Sequence, residues 1–286
     1  MEKKLAERLA TLPRKKLCFV IFGNDPASLQ FVKMKSRVAE RLGISVTVLE
    51  KNENISTDEA VAIIQEISDI NHAEKYDGVV IQLPLPASLD TEKILNSLPE
   101  KLDIDMLGEK AREKYAETGG QMENEVKSLT DAISAENGHG RQATSASGRI
   151  PPVARAVKKI FDFYEVSLSD KKIVIVGNGR LVGEPLSEMF KLEKIPFEII
   201  NKNTDEKERF AKIASADVII SGVGFPHLIK PEMVKSGVIL IDAGTSEQDG
   251  KLVGDIDPQC ATKASLLSPV PGGVGPVTVM SLFENL

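Results

Sequence analysis

Apolar positions in the first hundred residues alternate between two patterns. The runs "LCFVIFG" (Leu17–Gly23), "SVTVLE" and "GVVIQL" read as strands, the first of them buried on both faces. Between them, "PASLQFVKMKSRVAERLG" puts Leu29, Val32, Val38 and Leu42 near helical spacing, with Gly43 as C-cap. Thr57–Asn71 gathers Ala60, Ile63, Ile64 and Ile67 on one helical face, behind a Ser/Thr cap with Glu59 close by. Strand, helix, strand, helix, strand in this order predicts a parallel sheet with right-handed crossovers.

The pattern breaks at Met106–Ile150. There "MENEVKSLTDAISAENG" fits one amphipathic helix, and the polar, aperiodic "HGRQATSASGR" reads as a loop and linker. A helix "VARAVKKIFDFY" then opens a second unit: a strand at Lys172–Gly177, a helix from Gly183, strand "FEII", a helix near Glu206–Ile213, and strands "DVIISGVG" and "VILIDAG". The fold class is α/β, with two doubly wound parallel-sheet domains, the second of Rossmann type. The boundaries predicted are 1–148 and 149–275, with a last helix at 276–286.

Composition narrows the partners. The chain has 286 residues, 42% hydrophobic and 27% charged, enough for two cores. A net charge of −6 gives no positive field for nucleic acid or an anionic membrane. Arg14-Lys15-Lys16 is a solvated helix face rather than a binding patch. Cys18 and Cys260 read as buried thiols, and His72, His139 and His227 lack metal-ligand spacing, so no metal is expected. The N-terminus lacks a signal-peptide core and no window is apolar enough to span a bilayer. A cytoplasmic, soluble protein is the expectation.

Several stretches carry chemistry. In "IVIVGNGRLVGEP", Gly177, Gly179 and Gly183 sit at a strand-to-helix turn, where backbone can approach a pyrophosphate at a helix N-terminus. A tight turn alone would also use glycine. Past the next strand stand Asn201 and Lys202, and Lys202 suits a 2′-phosphate, which leans toward NADP over NAD; an ordinary surface lysine is the alternative. "SGVGFP" and "DAGTS" place Gly222, Gly224 and Gly244 just beyond strand ends, where open parallel sheets bind ligands; plain turn glycine is the competing reading for any one of them. "SPVPGGVGPVTV" packs three glycines and three prolines into Pro269–Val277, a composition poor for helix or strand and suited to a rigid, ligand-facing loop before a final helix. Periodicity alone makes Lys35 a solvated lysine, one helical turn past Phe31.

Taken in order, "NDPAS…FVKMK", "DGVVIQLPLP", "DID", "VGNGRLVGEP", "VGFPHLIKPEMVKSGVILIDAGTS", "KLVGDID" and "PVPGGVGPVTV" resemble the bifunctional methylenetetrahydrofolate dehydrogenase/methenyltetrahydrofolate cyclohydrolase family. The resemblance implies two domains flanking a cleft, with the helix 276–286 packed back on the first. It also implies hydride transfer from 5,10-methylenetetrahydrofolate to NAD(P), then hydrolysis to 10-formyltetrahydrofolate, in one-carbon metabolism and purine biosynthesis, by a homodimer acting on tetrahydrofolate derivatives. It carries the catalytic lysine to Lys35, its glutamine partner to Gln82 and the pterin-binding aspartate to Asp105. Phe31, Leu83, Pro84, Pro271, Gly272 and Gly273 would line the folate site. Gly177, Asn178, Gly179, Arg180, Val182, Lys202, Gly222, Gly224 and Thr245 would hold the dinucleotide.

The chain departs from the family pattern at Phe31 (a tyrosine there), at Met106 (a glycine), at Asn178-Gly179 (Arg-Ser) and at Arg149–Ala154, which replaces a Pro-Cys-Thr-Pro-x-Gly signature. Two alternatives stay open on sequence grounds: a member with only one of the two activities, and a non-catalytic folate- or nucleotide-binding relative.

Overall fold

The run Lys16–Phe22 forms β1, the middle strand of a parallel sheet ordered β2-β1-β3, with β2 at Ser45–Lys51 and β3 at Gly78–Ile81. The computed structural model describes residues 1–11, 13–69, 75–118 and 148–286. The helix and loop expected within 122–147, as well as His72 and His139, lie outside the described residues. A helix α1 (Glu2–Ala10) precedes β1. Helix α2 (Pro26–Arg41) starts at Asp25, whose side chain accepts from Ser28 N at 2.8 Å, and gives way to Gly43 at φ +77°. Helix α3 (Thr57–Ser68) opens on a capping box between Ser56 and Glu59, as its sequence predicts. Helices α4 (Thr91–Ser97) and α5 (Glu109–Thr118) follow β3.

Strand β3 stops at Ile81, two residues short of the predicted "GVVIQL". Gln82 N still reaches Val20 O at 2.9 Å, but Pro84 has no N–H to continue a ladder, and the Leu83–Pro84 peptide is cis. Gln82 therefore stands just beyond the carboxyl end of a parallel strand, next to the central β1.

The second sheet is parallel and ordered β10-β7-β6-β4-β5, with β4 at Ile173–Val176, β5 at Glu198–Ile200, β6 at Val218–Ser221, β7 at Ile239–Asp242 and β10 at Leu266–Ser268. A small antiparallel hairpin, β8 (Ser246–Gln248) and β9 (Lys251–Val253), follows β7. From β4 the chain crosses first to β5 on one side and then to β6 on the other, so the ends of β4 and β6 form the switch point where doubly wound sheets bind ligands. Helices α6 (Pro152–Phe163), α7 (Gly183–Leu192) and α8 (Glu206–Ser215) flank this sheet.

Each sheet is covered on both faces. Leu17, Phe19, Ile21 and Val80 point into one core of the first sheet; Cys18, Val20, Val79 and Ile81 point into the other. The last helix, α9 (Val274–Phe283), ties the two units together. Val279, Met280, Leu282 and Phe283 join the first core, whereas Val274 belongs to a core of the second sheet. This helix begins inside the Pro/Gly-rich stretch expected to be loop. Pro276 sits in its first turn, where a missing N–H costs no helical hydrogen bond. Arg155 and Lys159 of α6 both pair with Glu284 just beyond α9.

Candidate functional site

Lys35 lies on α2 three residues after Val32 and four before Ala39, at the border of the buried stripe. That position corrects the solvated reading. The side chain is half-buried, and Nζ donates to Gln82 Oε1 at 3.0 Å. Gln82 is only 8% exposed, and its Nε2 donates to Leu83 O at 2.5 Å, which fixes the amide with its oxygen toward the lysine. Asp105 supplies the opposite charge. Burial pushes the Lys35 ammonium below its ordinary pKa, and the Asp105 carboxylate opposes that shift. Burial raises Asp105 in turn, with the Lys35 charge acting against it. Phe31, half-buried, is one turn before Lys35 on the same helix.

The loop that carries Asp105 is held by a residue the sequence reading passed over. Asp103 is 3% exposed and its Oδ2 accepts from Gly108 N at 2.8 Å, with the N–H groups of Met106 and Leu107 also directed at it. Burial, with a smaller push from Asp105, raises its pKa to about 6. Met106 adopts φ +57°, a conformation that glycine takes at no cost and other residues rarely adopt. That is a backbone reason for the glycine found there in the resembling family. The methionine is retained against this strain by burial with Ala111, Tyr115 and Ile150. Arg149 donates to Asn285 O at 3.0 Å and Glu100 O at 2.9 Å, and Asn285 Nδ2 donates to Ile104 O at 2.8 Å and Ile150 O at 3.0 Å. The stretch Arg149–Ala154 is thus tied structurally to the aspartate loop.

At the switch point, Gly177 has φ +92°. A Cβ on Gly183 would strike the Gly177 carbonyl and stand 2.6 Å from Asn178 Cα, so the first turn of α7 packs directly on the loop. A Cβ on Gly222 would fall on the Val182 side chain, so the backbone of the loop after β6 packs directly on that valine. Asn178 and Gly179 are exposed, and nothing lies within 4 Å of where a Gly179 Cβ would be. A bare backbone rim at a helix N-terminus suits a dinucleotide pyrophosphate, so these residues fit the cofactor that the resemblance implies. Lys202 is exposed beyond β5, and Thr245 is exposed with its carbonyl 3.6 Å from the Cβ position of Gly224.

Arg180 bridges the two sites. Its Nη1 donates to Glu92 at 3.0 Å and to Leu107 O at 3.4 Å, so the glycine loop is pinned to the segment that follows Asp105. Arg112 and Glu184 pair at 2.8 Å alongside. Pro271 and Gly272 are exposed in the loop before α9, with Gly272 at φ +105°; Gly273 N closes that loop on Pro269 O at 2.7 Å. Leu83 is half-buried and Pro84 exposed beside Gln82. The structure thus joins Lys35, Gln82 and Asp105 in one cluster, and joins the glycine loop to the segment after Asp105 through Arg180. The two cysteines are buried and free, each with its thiol pushed up to about 11 by burial. Among the described residues no helix is long and apolar enough to cross a membrane.

Comparison with known proteins agrees with this geometry. The family model described as tetrahydrofolate dehydrogenase/cyclohydrolase, catalytic domain, matches residues 1–105, and the one described as its NAD(P)-binding domain matches 151–286. Bifunctional protein FolD of Clostridium tetani is 35% identical over 268 residues, covering 93% of this chain and 85% of its own. That of Mycoplasma mobile is 36% identical over 270 residues, covering 92% and 83%. Among solved structures, the bifunctional enzyme of Campylobacter jejuni superposes with a TM-score of 0.82 at 31% identity, covering 99% of this chain and 92% of that one. The Trypanosoma brucei enzyme, complexed with NADP cofactor and inhibitor, gives a TM-score of 0.82 at 26% identity, covering 99% and 91%.

Proposed function

The chain belongs to the tetrahydrofolate dehydrogenase/cyclohydrolase family, and from that premise we propose that it oxidises 5,10-methylenetetrahydrofolate to the methenyl form with a nicotinamide dinucleotide, then hydrolyses that product to 10-formyltetrahydrofolate. The observation that carries the reading is the Lys35–Gln82 hydrogen bond at 3.0 Å, facing Asp105, with the segment after Asp105 pinned through Arg180 to the glycine loop. When bound, the nicotinamide accepts the hydride.

The chain's own residues have separable tasks. Asp105 accepts from the paired N–H donors of the pterin edge, and Phe31 stacks on the substrate ring. Leu83, Pro84, Pro271, Gly272 and Gly273 wall the folate. In hydrolysis, water adds to the methenyl carbon and loses a proton, and the bond from that carbon to N5 then breaks, leaving the formyl group on N10. Lys35, held by Gln82 and depressed in pKa, takes up and returns the proton. Gly177, Asn178, Gly179, Arg180 and Val182 receive the pyrophosphate side of the dinucleotide, and Gly222, Gly224 and Thr245 its nicotinamide half. NADP is the dinucleotide assigned, with Lys202 at the 2′-phosphate; the trypanosomal relative's NADP supports that choice.

The reading extends to two domains, 1–148 with 276–286 and 149–275, in a homodimer of the cytoplasm that supplies one-carbon units for purine biosynthesis, without nucleic acid or membrane partners. Packing of Val279, Met280, Leu282 and Phe283 into the first core supports assigning α9 to the folate domain. Lys35→Met tests the mechanism. Hydrolysis of methenyltetrahydrofolate should fall by about 10²–10⁴-fold, the usual worth of a positioned proton-transfer group. A variant that keeps the wild-type hydrolytic rate would remove Lys35 from the mechanism.

A further inference from the structure

Flanking the hairpin β8–β9 in sequence is a pair of buried aspartates, Asp242 and Asp255, that no step above uses. Asp255 is 0% exposed, and its carboxylate gathers four donors from one short segment: Ser221 Oγ at 2.7 Å, Val223 N at 2.7 Å, Gly224 N at 2.9 Å and Phe225 N at 2.9 Å. That segment is the loop leaving β6 at the switch point, in contact with both Val182 and Gly177. Asp255 is itself held from behind. Asp242, 2% exposed, accepts from Asp255 N at 3.1 Å, Ile256 N at 2.8 Å and Gly244 N at 3.1 Å, and its own N–H reaches Ser268 Oγ at 2.8 Å. Gly244 lies against the Asp255 carboxylate and Gly254 against that of Asp242, so close that neither position admits a Cβ.

We propose that Asp255 is the positioning residue that shapes the β6 loop for the nicotinamide half of the dinucleotide. Three successive N–H groups, at 223, 224 and 225, are spent inward on one carboxylate. Gly222 N is spent on Val176 O at 3.1 Å. Among the described residues no donor reaches the carbonyl oxygens of Gly222, Val223 or Gly224. The groups the loop can offer a ligand are therefore acceptors, and they match the donors of a carboxamide and ribose hydroxyls rather than a phosphate. Asp255 touches neither substrate nor cofactor; it fixes which face of the backbone is presented, while Asp242 and Ser268 tie the same framework to the start of the Pro269–Gly273 loop.

This inference rests on the proposed dinucleotide site, and the test separates the two. NADP⁺ and NAD⁺ are titrated calorimetrically into wild-type, Asp255→Asn and Ser221→Ala protein, with thermal melts and the nucleotide-free hydrolysis of methenyltetrahydrofolate measured in parallel. Asn turns an N–H₂ toward backbone N–H groups, so Asp255→Asn should weaken dinucleotide binding at least tenfold and leave hydrolysis within about twofold. Ser221→Ala removes one of the four donors and should weaken binding about threefold in a fully folded protein. If Asp255→Asn does not fold, Ser221→Ala decides alone. Unchanged dinucleotide affinity in the folded variants, or equal loss of affinity and hydrolysis, would overturn the inference while leaving the site intact. A wild-type protein that binds neither dinucleotide would overturn both readings.

Discussion

Replacing Asp103 by Asn should change how stability depends on pH, in a direction opposite to the usual acid sensitivity of carboxylates. Asp103 is almost wholly buried and its pKa is raised to about 6, chiefly by burial and partly by Asp105. Because the folded value exceeds the unfolded one, near 3.9, the folded protein binds this proton more tightly. The stabilisation from that proton is fully present below about pH 4 and lost as pH rises through about 6. At ~1.36 kcal/mol per pH unit, the change across this window is about 3 kcal/mol as an upper value. Asn carries no such proton. It also turns an N–H₂ toward the N–H groups of Met106, Leu107 and Gly108, a cost of ~1–3 kcal/mol at every pH. Urea unfolding of both proteins at pH 4.5, 5.5, 6.5 and 7.5 isolates the titrating part. Asp242, raised to about 6 in the second domain, is present in both and cancels. The wild-type advantage over Asp103→Asn should shrink by about 2 kcal/mol between the lowest and highest pH. A difference constant to within ~0.5 kcal/mol would refute the assignment of a buried, proton-binding carboxylate at 103.

Met106→Gly tests the strained turn: relief of ~1–2 kcal/mol of left-handed strain is outweighed by lost burial of ~1.5–3 kcal/mol and added chain entropy of ~0.5–1 kcal/mol. The variant should melt lower than wild type, and a higher Tm would show that strain dominates. Asn285→Ala leaves the carbonyls of Ile104 and Ile150 without their donor and should cost ~2–4 kcal/mol of stability, read by urea unfolding. A loss below ~0.5 kcal/mol would mean that other groups take over these carbonyls.

The strand–helix alternation was legible because β1, β3, β4, β6 and β7 are unbroken apolar runs, the pattern of strands buried on two faces. Strand β10 escaped notice: three residues leave no periodicity to read. Helix α9 was expected to begin at 276, because glycine and proline dominate its first turn, where helical hydrogen bonds are not yet required. Gln82 was visible as an amide at a strand end, but its partner was not. Lys35 sits on a stripe boundary where spacing cannot distinguish a lysine reaching inward from one reaching out, and only the resemblance marked it. Asp103, Asp242 and Asp255 were missed because their roles depend on backbone N–H groups converging from loops, which leaves no side-chain pattern. The one local hint was glycine beside each of the last two, at Gly244 and Gly254, where a Cβ has no room.

The central claim is that one chain carries both activities. Wild-type protein is incubated with 5,10-methylenetetrahydrofolate and NADP⁺ or NAD⁺, while absorbance of reduced nicotinamide and of methenyltetrahydrofolate is followed together. Reduced nicotinamide should rise with methenyltetrahydrofolate staying low and 10-formyltetrahydrofolate accumulating in its place. Methenyltetrahydrofolate accumulating in step with reduced nicotinamide, or no reduction with either dinucleotide, would contradict it.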